Sequence, residues 1–98
     1  METTHFLYLA KPPRSTFVFD ATPAEYEILN RHFAFMDDVR SRGKLVLTGP
    51  ALDGFGGVAI FKVTERAEAE ALVASDPAIV TGLFTATLHP LCVGQVTP

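Results

Sequence analysis

The stretch "GKLVLTGPALDGFGGVAIF", Gly43 to Phe61, holds five glycines and one proline between two short runs of aliphatic residues. Such a loop is typical either of a phosphate-binding turn or of a β-hairpin. A phosphate loop places its glycines between a strand and the N-terminus of a helix, in patterns such as GxGxxG, and neither feature occurs here. The stretch therefore predicts a hairpin between strands at Lys44–Thr48 and Val58–Val63, in which glycine supplies positive φ. A backbone nest for an anionic molecule stays open as the alternative.

Helix signals lie on both sides of this hairpin. Thr22, Pro23 and Glu25 form an N-cap, a first-turn proline and a capping box, and they predict a helix from Thr22 to about Arg42 that ends at Gly43. A second helix is expected from about Glu65 to Ser75, capped by Thr64 and ended by the pair Asp76-Pro77. Apolar residues recur with helical spacing in the first of these segments.

Strands at His5–Ala10 and at Phe84 to about Val93 complete the order βαββαβ. This order predicts an α+β, ferredoxin-like fold: one domain over residues 1–98, with a four-stranded antiparallel sheet and two helices on one face. The strands are largely apolar on both sides, so both faces of the sheet should be covered. Two helices cover only one face, and the other is expected to meet a second copy of the chain in a homodimer.

Composition excludes several classes of protein. The formal net charge is −3 without a basic run, so duplex nucleic acid is not an expected partner. No apolar stretch is long enough to span a membrane, and the N-terminus lacks the pattern of a signal peptide. Cys92 is the only cysteine, and the three histidines are scattered, so neither a disulfide nor a metal site is predicted. We expect a cytoplasmic protein without a cofactor.

His32 and Asp76 are the candidates for chemistry. His32 falls within the apolar arc of the first predicted helix, where an imidazole needs a hydrogen-bond partner or a cavity. Asp76, at the end of the second predicted helix, is the natural partner. A carboxylate on one ring nitrogen fixes the tautomer and leaves the other nitrogen as a general base. The alternatives are a satisfied core histidine and a turn aspartate before proline.

A long apolar connection follows the first strand, from Lys11 to Thr22, and contains Phe17 and Phe19. Long loops in compact domains tend to be functional, although these residues could also plug the edge of the core. Gly49 and Pro50 end the second strand and would shape the mouth of a pocket there. We therefore assign Phe17, Phe19, Gly49 and Pro50 as candidate residues for binding a small molecule.

The fragments "RHFAFMDDVRSRGKLVLTGP", "GFGGVAIFKV", "EAEALVASDP" and "GLF" together resemble the YCII-related (YciI-like) family of small bacterial proteins over nearly the whole chain. The resemblance implies a ferredoxin-like fold that dimerises into an α/β barrel. It also implies a cleft lined by a histidine and an aspartate, which by motif position are His32 in "RHF" and Asp76 in "SDP". Chloromuconolactone dehalogenase resembles this family, and muconolactone isomerase has a similar fold. In both, a base removes a proton next to a carbonyl.

Two functions follow as hypotheses. The first is a small enzyme in which His32 is the acid or base and Asp76 orients it, acting on a small carbonyl or lactone-type molecule. The second is a binding or accessory module with the same dimeric fold and no turnover. The sequence offers no evident second acid/base group, which keeps the second hypothesis open.

Overall fold

The computed structural model describes residues 1–98 and contains four strands and four helical segments. The strands are β1 (His5–Lys11), β2 (Leu45–Pro50), β3 (Gly57–Phe61) and β4 (Thr85–Leu91). The helices are α1 (Phe17–Asp20), α2 (Pro23–Ser41), α3 (Arg66–Ser75) and α4 (Pro77–Val80). None of these helices combines the length and the apolar character that crossing a bilayer requires.

The strands form one antiparallel sheet in the order β2-β3-β1-β4. The predicted hairpin is confirmed, because β2 pairs directly with β3, with an irregularity in register between Leu45 and Leu47. Phe55 N donates to the Asp53 carboxylate and Ala51 N donates to the Gly56 carbonyl, and these bonds close the turn. The α+β architecture with a four-stranded antiparallel sheet is thus the one that the sequence predicts.

Alternation along the strands determines where the core lies. Phe6, Tyr8 and Ala10 on β1 are buried, whereas Leu7 and Leu9 between them are only partly buried. Successive side chains of a strand point to opposite faces, so one face of the sheet carries the core. The core cluster joins that face to the helices and consists of Phe6, Tyr8, Ala10, Met36, Val39, Ala59, Phe61, Val63, Ala69 and Leu72.

The helix boundaries differ from expectation at three places. Two short helices, α1 and α4, were not predicted, since four-residue segments carry too little periodicity to be recognised. Asp76 ends α3 as predicted but also begins α4, where its side chain accepts from Ala78 N. Helix α3 starts one residue later than expected, and its N-cap is Glu65 without a side-chain bond, so the prediction of Thr64 as the cap is wrong.

The start of α2 follows its sequence signal closely. Thr22 accepts from Glu25 N, and the Glu25 carboxylate accepts from Thr22 N, so both halves of the capping box are present. Pro23 occupies the first turn, where its missing N–H leaves no bond unmade. The first turn of α2 is therefore capped by the residues that the sequence indicates.

Gly56 holds the hairpin close to β1. Its φ is 142°, a value that side-chain-bearing residues rarely adopt, and a Cβ at this position would lie 2.3 Å from the carbonyl oxygen of Ala10. Glycine at position 56 therefore permits the turn to pass directly against the β1 backbone. Gly49 on the same hairpin has an ordinary φ, and a Cβ added there would meet no atom within 4 Å.

We expect Gly56→Ala to destabilise the protein by about 2 kcal/mol or more, because backbone strain and a clash with a carbonyl oxygen combine. Gly49→Ala is the matched control and should change the free energy of unfolding by less than about 0.5 kcal/mol. Urea denaturation followed by circular dichroism measures both. Equal stability of the two variants would show that the turn does not need glycine at position 56.

Candidate active site

His32 and Asp76 are in direct contact. The Nδ1 atom of His32, on α2, lies 2.8 Å from Oδ1 and 2.9 Å from Oδ2 of Asp76, at the junction of α3 and α4. The Asp76 side chain is fully buried, with 0% of its surface exposed, whereas 12% of the His32 side chain remains exposed. The pair therefore has a buried carboxylate at one end and an accessible imidazole edge at the other.

Tyr8 is a third member of this network, and no local sequence pattern identified it. Its hydroxyl donates to Asp76 Oδ2 at 2.7 Å, from the core face of β1. Burial, with the Asp76 carboxylate adding to it, raises the pKa of Tyr8 far above its usual range, so the phenol remains a donor. The available signal was a tyrosine at a core position of β1, since a buried hydroxyl requires a partner.

The Asp76 carboxylate thus accepts from three elements. Tyr8 donates from β1, Ala78 N donates from α4 at 2.9 Å, and His32 donates from α2. When His32 is protonated at Nδ1, all three groups have a hydrogen to donate. This tautomer therefore gives the Asp76 carboxylate three donors. No side-chain nitrogen or oxygen in the chain is both buried and unpartnered.

Nε2 of His32 is left free by this arrangement. It makes no hydrogen bond within the chain, and since no buried side-chain atom lacks a partner, it reaches accessible space. With Nδ1 bound to the carboxylate, Nε2 carries the lone pair of the neutral ring. It can take a proton, and Asp76 then stabilises the imidazolium that forms.

His32 lines a cavity of about 370 Å³ that lies between α2, the turn end of the β2–β3 hairpin and the segment after β1. Phe17, Gly49 and Pro50, three of the four candidate binding residues, line it together with His32. Phe19 does not line it, and 75% of its surface is exposed. The remaining wall is mostly apolar and includes Val18, Tyr26, Leu29, Phe33, Met36, Val58 and Phe84.

Aromatic rings surround the imidazole. The centroid of the His32 ring lies 5.6 Å from that of Phe84, edge to face, and 5.7 Å from that of Phe33. Phe84 in turn meets Phe17 edge to face at 5.7 Å. These contacts fix the plane of the His32 ring and give the cavity a wall on which a flat molecule can pack.

A comparison with family models decides the kinship of the chain. The model of the YCII-related domain matches residues 5–88, which include His32, Asp76 and nearly all of the sheet. The chain belongs to the YCII-related domain family. No curated protein matches this YCII-related domain significantly in sequence.

Among solved structures, this YCII-related domain is similar to 5-chloro-2-hydroxyhydroquinone dehydrochlorinase (TftG) from Burkholderia phenoliruptrix AC1100, in complex with 2,5-dihydroxybenzoquinone. The TM-score is 0.71 at 19% sequence identity, over 92% of this chain and 95% of that one. At this identity the likeness establishes the shared fold.

Arg14 holds the segment that covers one side of the cavity of the YCII-related domain. Its guanidinium binds Asp20, at the end of α1, and makes a bidentate pair with Glu25, at the start of α2. The same group lies 5.4 Å from the centroid of the Phe17 ring. The Arg14 side-chain bond and the Thr22 backbone bond lower the pKa of Glu25 to about 2. One cation therefore connects both ends of the α1 segment.

The other histidines lie elsewhere. His5 contacts Thr4 and His89 contacts Thr87, and neither lines the cavity. No group of three or more histidine, cysteine, aspartate or glutamate side chains is placed to hold a metal ion.

Tyr8→Phe removes one donor from the buried carboxylate and keeps the ring. We expect it to lower the free energy of unfolding by about 1–3 kcal/mol, because a buried acceptor then loses a partner. Tyr26→Phe, at an exposed position on the cavity rim, is the control and should have little effect. Chemical denaturation at pH 7 compares them, and an unchanged Tyr8→Phe variant would mean that the hydroxyl does not support Asp76.

Protonation of Glu25 at low pH should weaken its ion pair with Arg14, which connects α1 to the start of α2. The folded pKa of Glu25, about 2, lies below the ordinary value of 4.5, so its contribution to stability is complete above 4.5 and is lost as the pH falls through about 2. Glu25→Gln keeps the capping box and removes the charge. We expect the variant to be less stable than the wild type at pH 6 and the two thermal midpoints to converge towards pH 2. A difference that is independent of pH would contradict this account.

Proposed function

We propose that this protein is a small, single-domain cytoplasmic enzyme that uses His32 as acid and base on a small carbonyl or lactone-type molecule. The observation that carries the proposal is that His32, with Nδ1 held by the fully buried Asp76 and Nε2 unpartnered, lines an aromatic-walled cavity. A satisfied core histidine would have both nitrogens paired or packed, and a turn aspartate would not need a histidine and a tyrosine as partners.

In this proposal, Nε2 removes a proton from a carbon next to the carbonyl of the bound molecule. The electrons of the C–H bond form an enolate, and the proton stays on the imidazolium, which Asp76 stabilises. The imidazolium, whose proton exchanges with solvent, then returns a proton to the same carbon or to a different one, and a return to a different carbon gives an isomerisation. Alternatively, a leaving group departs from the neighbouring carbon, which gives an elimination. His32 serves as base in the first step, and as acid in the isomerisation.

The structural similarity to TftG supports this chemistry. TftG is described as a dehydrochlorinase of a hydroxylated chlorinated ring, and dehydrochlorination is an elimination that needs proton removal. A cavity of about 370 Å³ lies at the small end of ligand sites and suits a single ring with its substituents. Phe17, Gly49 and Pro50 would contact this ring. Phe19 would not, because its side chain lies outside the cavity.

One observation favours a binding module without turnover. Besides the imidazole of His32, the cavity wall contains no carboxylate or amine that could serve as a second acid or base. The Tyr8 hydroxyl is already bound to Asp76. A single acid/base group suffices when one proton is removed and returned, but not when two groups must act together. The two functions therefore differ in whether a carbon-bound hydrogen of the bound molecule exchanges.

Proton exchange tests the enzyme directly. Small lactones and cyclic enones are incubated with the protein in D₂O, and deuterium at the carbon next to the carbonyl is followed by NMR. We expect the wild type to accelerate exchange of at least one compound, and His32→Gln to lower the rate by about 100-fold or more while it stays folded. Asp76→Asn should also lose exchange.

His89→Gln is the matched control, because this histidine lies outside the cavity. Exchange that persists in His32→Gln would remove His32 from the reaction. Compounds that bind the wild type, as shown by shifts of cavity resonances, but never exchange would favour the binding module.

We also propose that two copies pair through the open face of the sheet. Leu7 and Leu9 face Ile60 and Val58 across the β1–β3 ladder, and all four are only partly buried in one chain. Sedimentation equilibrium should then give about twice the 10.6 kDa chain mass. Ile60→Glu should produce a monomer, whereas Leu52→Glu, in the exposed hairpin turn, should not. A monomeric wild type at micromolar concentration would refute the proposed dimer.

A further inference from the structure

The wall of the cavity carries no fixed charge. None of the residues that line it is lysine, arginine, aspartate or glutamate. Its polar side chains are the hydroxyls of Tyr8, Ser15, Tyr26 and Thr48 and the imidazole of His32. The Tyr8 hydroxyl donates to Asp76 and the Thr48 hydroxyl donates to the Val58 carbonyl, so neither has its hydrogen free for a ligand.

The one ionisable pair at the cavity cannot supply a net positive charge. Asp76 lies 2.8 Å from His32 and is fully buried. When the imidazole is neutral, the pair carries a charge of −1, and when the imidazole is protonated, the two charges cancel. The pair is therefore negative or neutral in either state, and it does not attract an anion.

Arg14 is the cation that contacts a cavity wall, and its charge is already compensated. Its guanidinium lies over Phe17 but binds the carboxylates of both Asp20 and Glu25. Two carboxylates on one guanidinium leave that cluster with a net charge of −1. A ligand carboxylate would therefore lose its hydration in this apolar cavity without gaining a cation as a partner. This desolvation costs free energy and weakens binding.

The rings of the wall are suited to a flat, uncharged molecule. Phe17, Phe33 and Phe84 lie in consecutive contact around His32, and Tyr26 adds a fourth ring at the rim. Offset or edge-to-face packing against such rings stabilises an aromatic, quinonoid or lactone ring without any charge on it.

We propose that this cavity binds uncharged single-ring molecules and rejects the same rings when they bear a carboxylate. The inference refines the proposed function, since it limits the substrates of that site to neutral rings. Lactones that carry a carboxylate are therefore excluded from the proposed substrates, because the cavity wall offers no cation to pair with that group.

A pair of ligands of nearly equal size tests the discrimination. 4-Hydroxybenzamide and 4-hydroxybenzoate differ by one amide in place of one carboxylate. We expect the wild type at pH 8 to bind the benzamide at least about tenfold more tightly, as measured by titration of the aromatic and His32 ring resonances in NMR. Equal affinity, tighter binding of the benzoate, or no binding of either compound at millimolar concentration would overturn the proposal.

A cation placed in the wall should shift this preference. Ser15 lines the cavity and is exposed, so Ser15→Lys adds a charge there, and Ser15→Gln is the uncharged control of comparable length. Ser15→Lys should raise the affinity for the benzoate severalfold relative to Ser15→Gln, with little change for the benzamide. Benzoate affinity that does not differ between the two variants would contradict the electrostatic origin of the selectivity.

His32→Gln separates this inference from the proposed reaction. The variant keeps the wall uncharged, so the preference for the benzamide should persist even though proton exchange is lost. If exchange is never observed but the preference holds, the reaction is wrong and the ligand class stands. If exchange is observed but carboxylated rings bind equally well, the reaction stands and the ligand class is wrong.

Discussion

The buried carboxylate of Asp76 is the interaction on which the rest of this structure depends. It accepts hydrogen bonds from Tyr8 of β1, His32 of α2 and Ala78 N of α4, and so connects the sheet to the helical layer at one point. A buried carboxylate is tolerated only when such donors surround it. The bond to Nδ1 favours the His32 tautomer that leaves Nε2 free, and the bonds from Tyr8 and Ala78 N hold the carboxylate in place for it. Packing and the proposed chemistry are therefore consequences of one arrangement.

The cavity beside this carboxylate exists because two connections pass near the sheet without filling the space under α2. Glycine brings the β2–β3 turn against the β1 backbone, since a Cβ at Gly56 would meet Ala10. Arg14 holds α1 to the start of α2 through Asp20 and Glu25. Between them, aromatic side chains leave a space that ends at His32. A neutral wall around a single base favours removal and return of a proton on an uncharged ring.

Much of the fold could be predicted from local signals. The capping box at Thr22 and Glu25 and the glycine-rich turn between two apolar runs both specify their geometry within a few residues, and both are present. The position of His32 on the inner arc of α2 is likewise a local property, because it follows from helical spacing alone.

The rest depended on tertiary contacts. Tyr8 reads as one more apolar strand residue, and only the packing of β1 beneath Asp76 reveals its role. Phe17 and Phe19 are two positions apart on a short helix, so they point about 200° apart and only Phe17 can face the cavity. The sequence predicts a loop from Lys11 to Thr22 and gives no sign of helix α1 within it. Phe84, predicted as the first residue of the last strand, lies just before β4, and only the packing shows that its ring contacts His32.

The central claim is that Asp76 holds His32 with its proton on Nδ1 and its lone pair on Nε2. Long-range ¹H–¹⁵N correlation NMR of the histidine side chains, at a pH where the ring is neutral, measures this tautomer directly. The account predicts that the His32 resonances show a protonated Nδ1 and an unprotonated Nε2, and that Asp76→Asn removes this preference while the other two histidines are unchanged. A neutral His32 protonated at Nε2, or a mixture of tautomers that Asp76→Asn leaves unaltered, would contradict it.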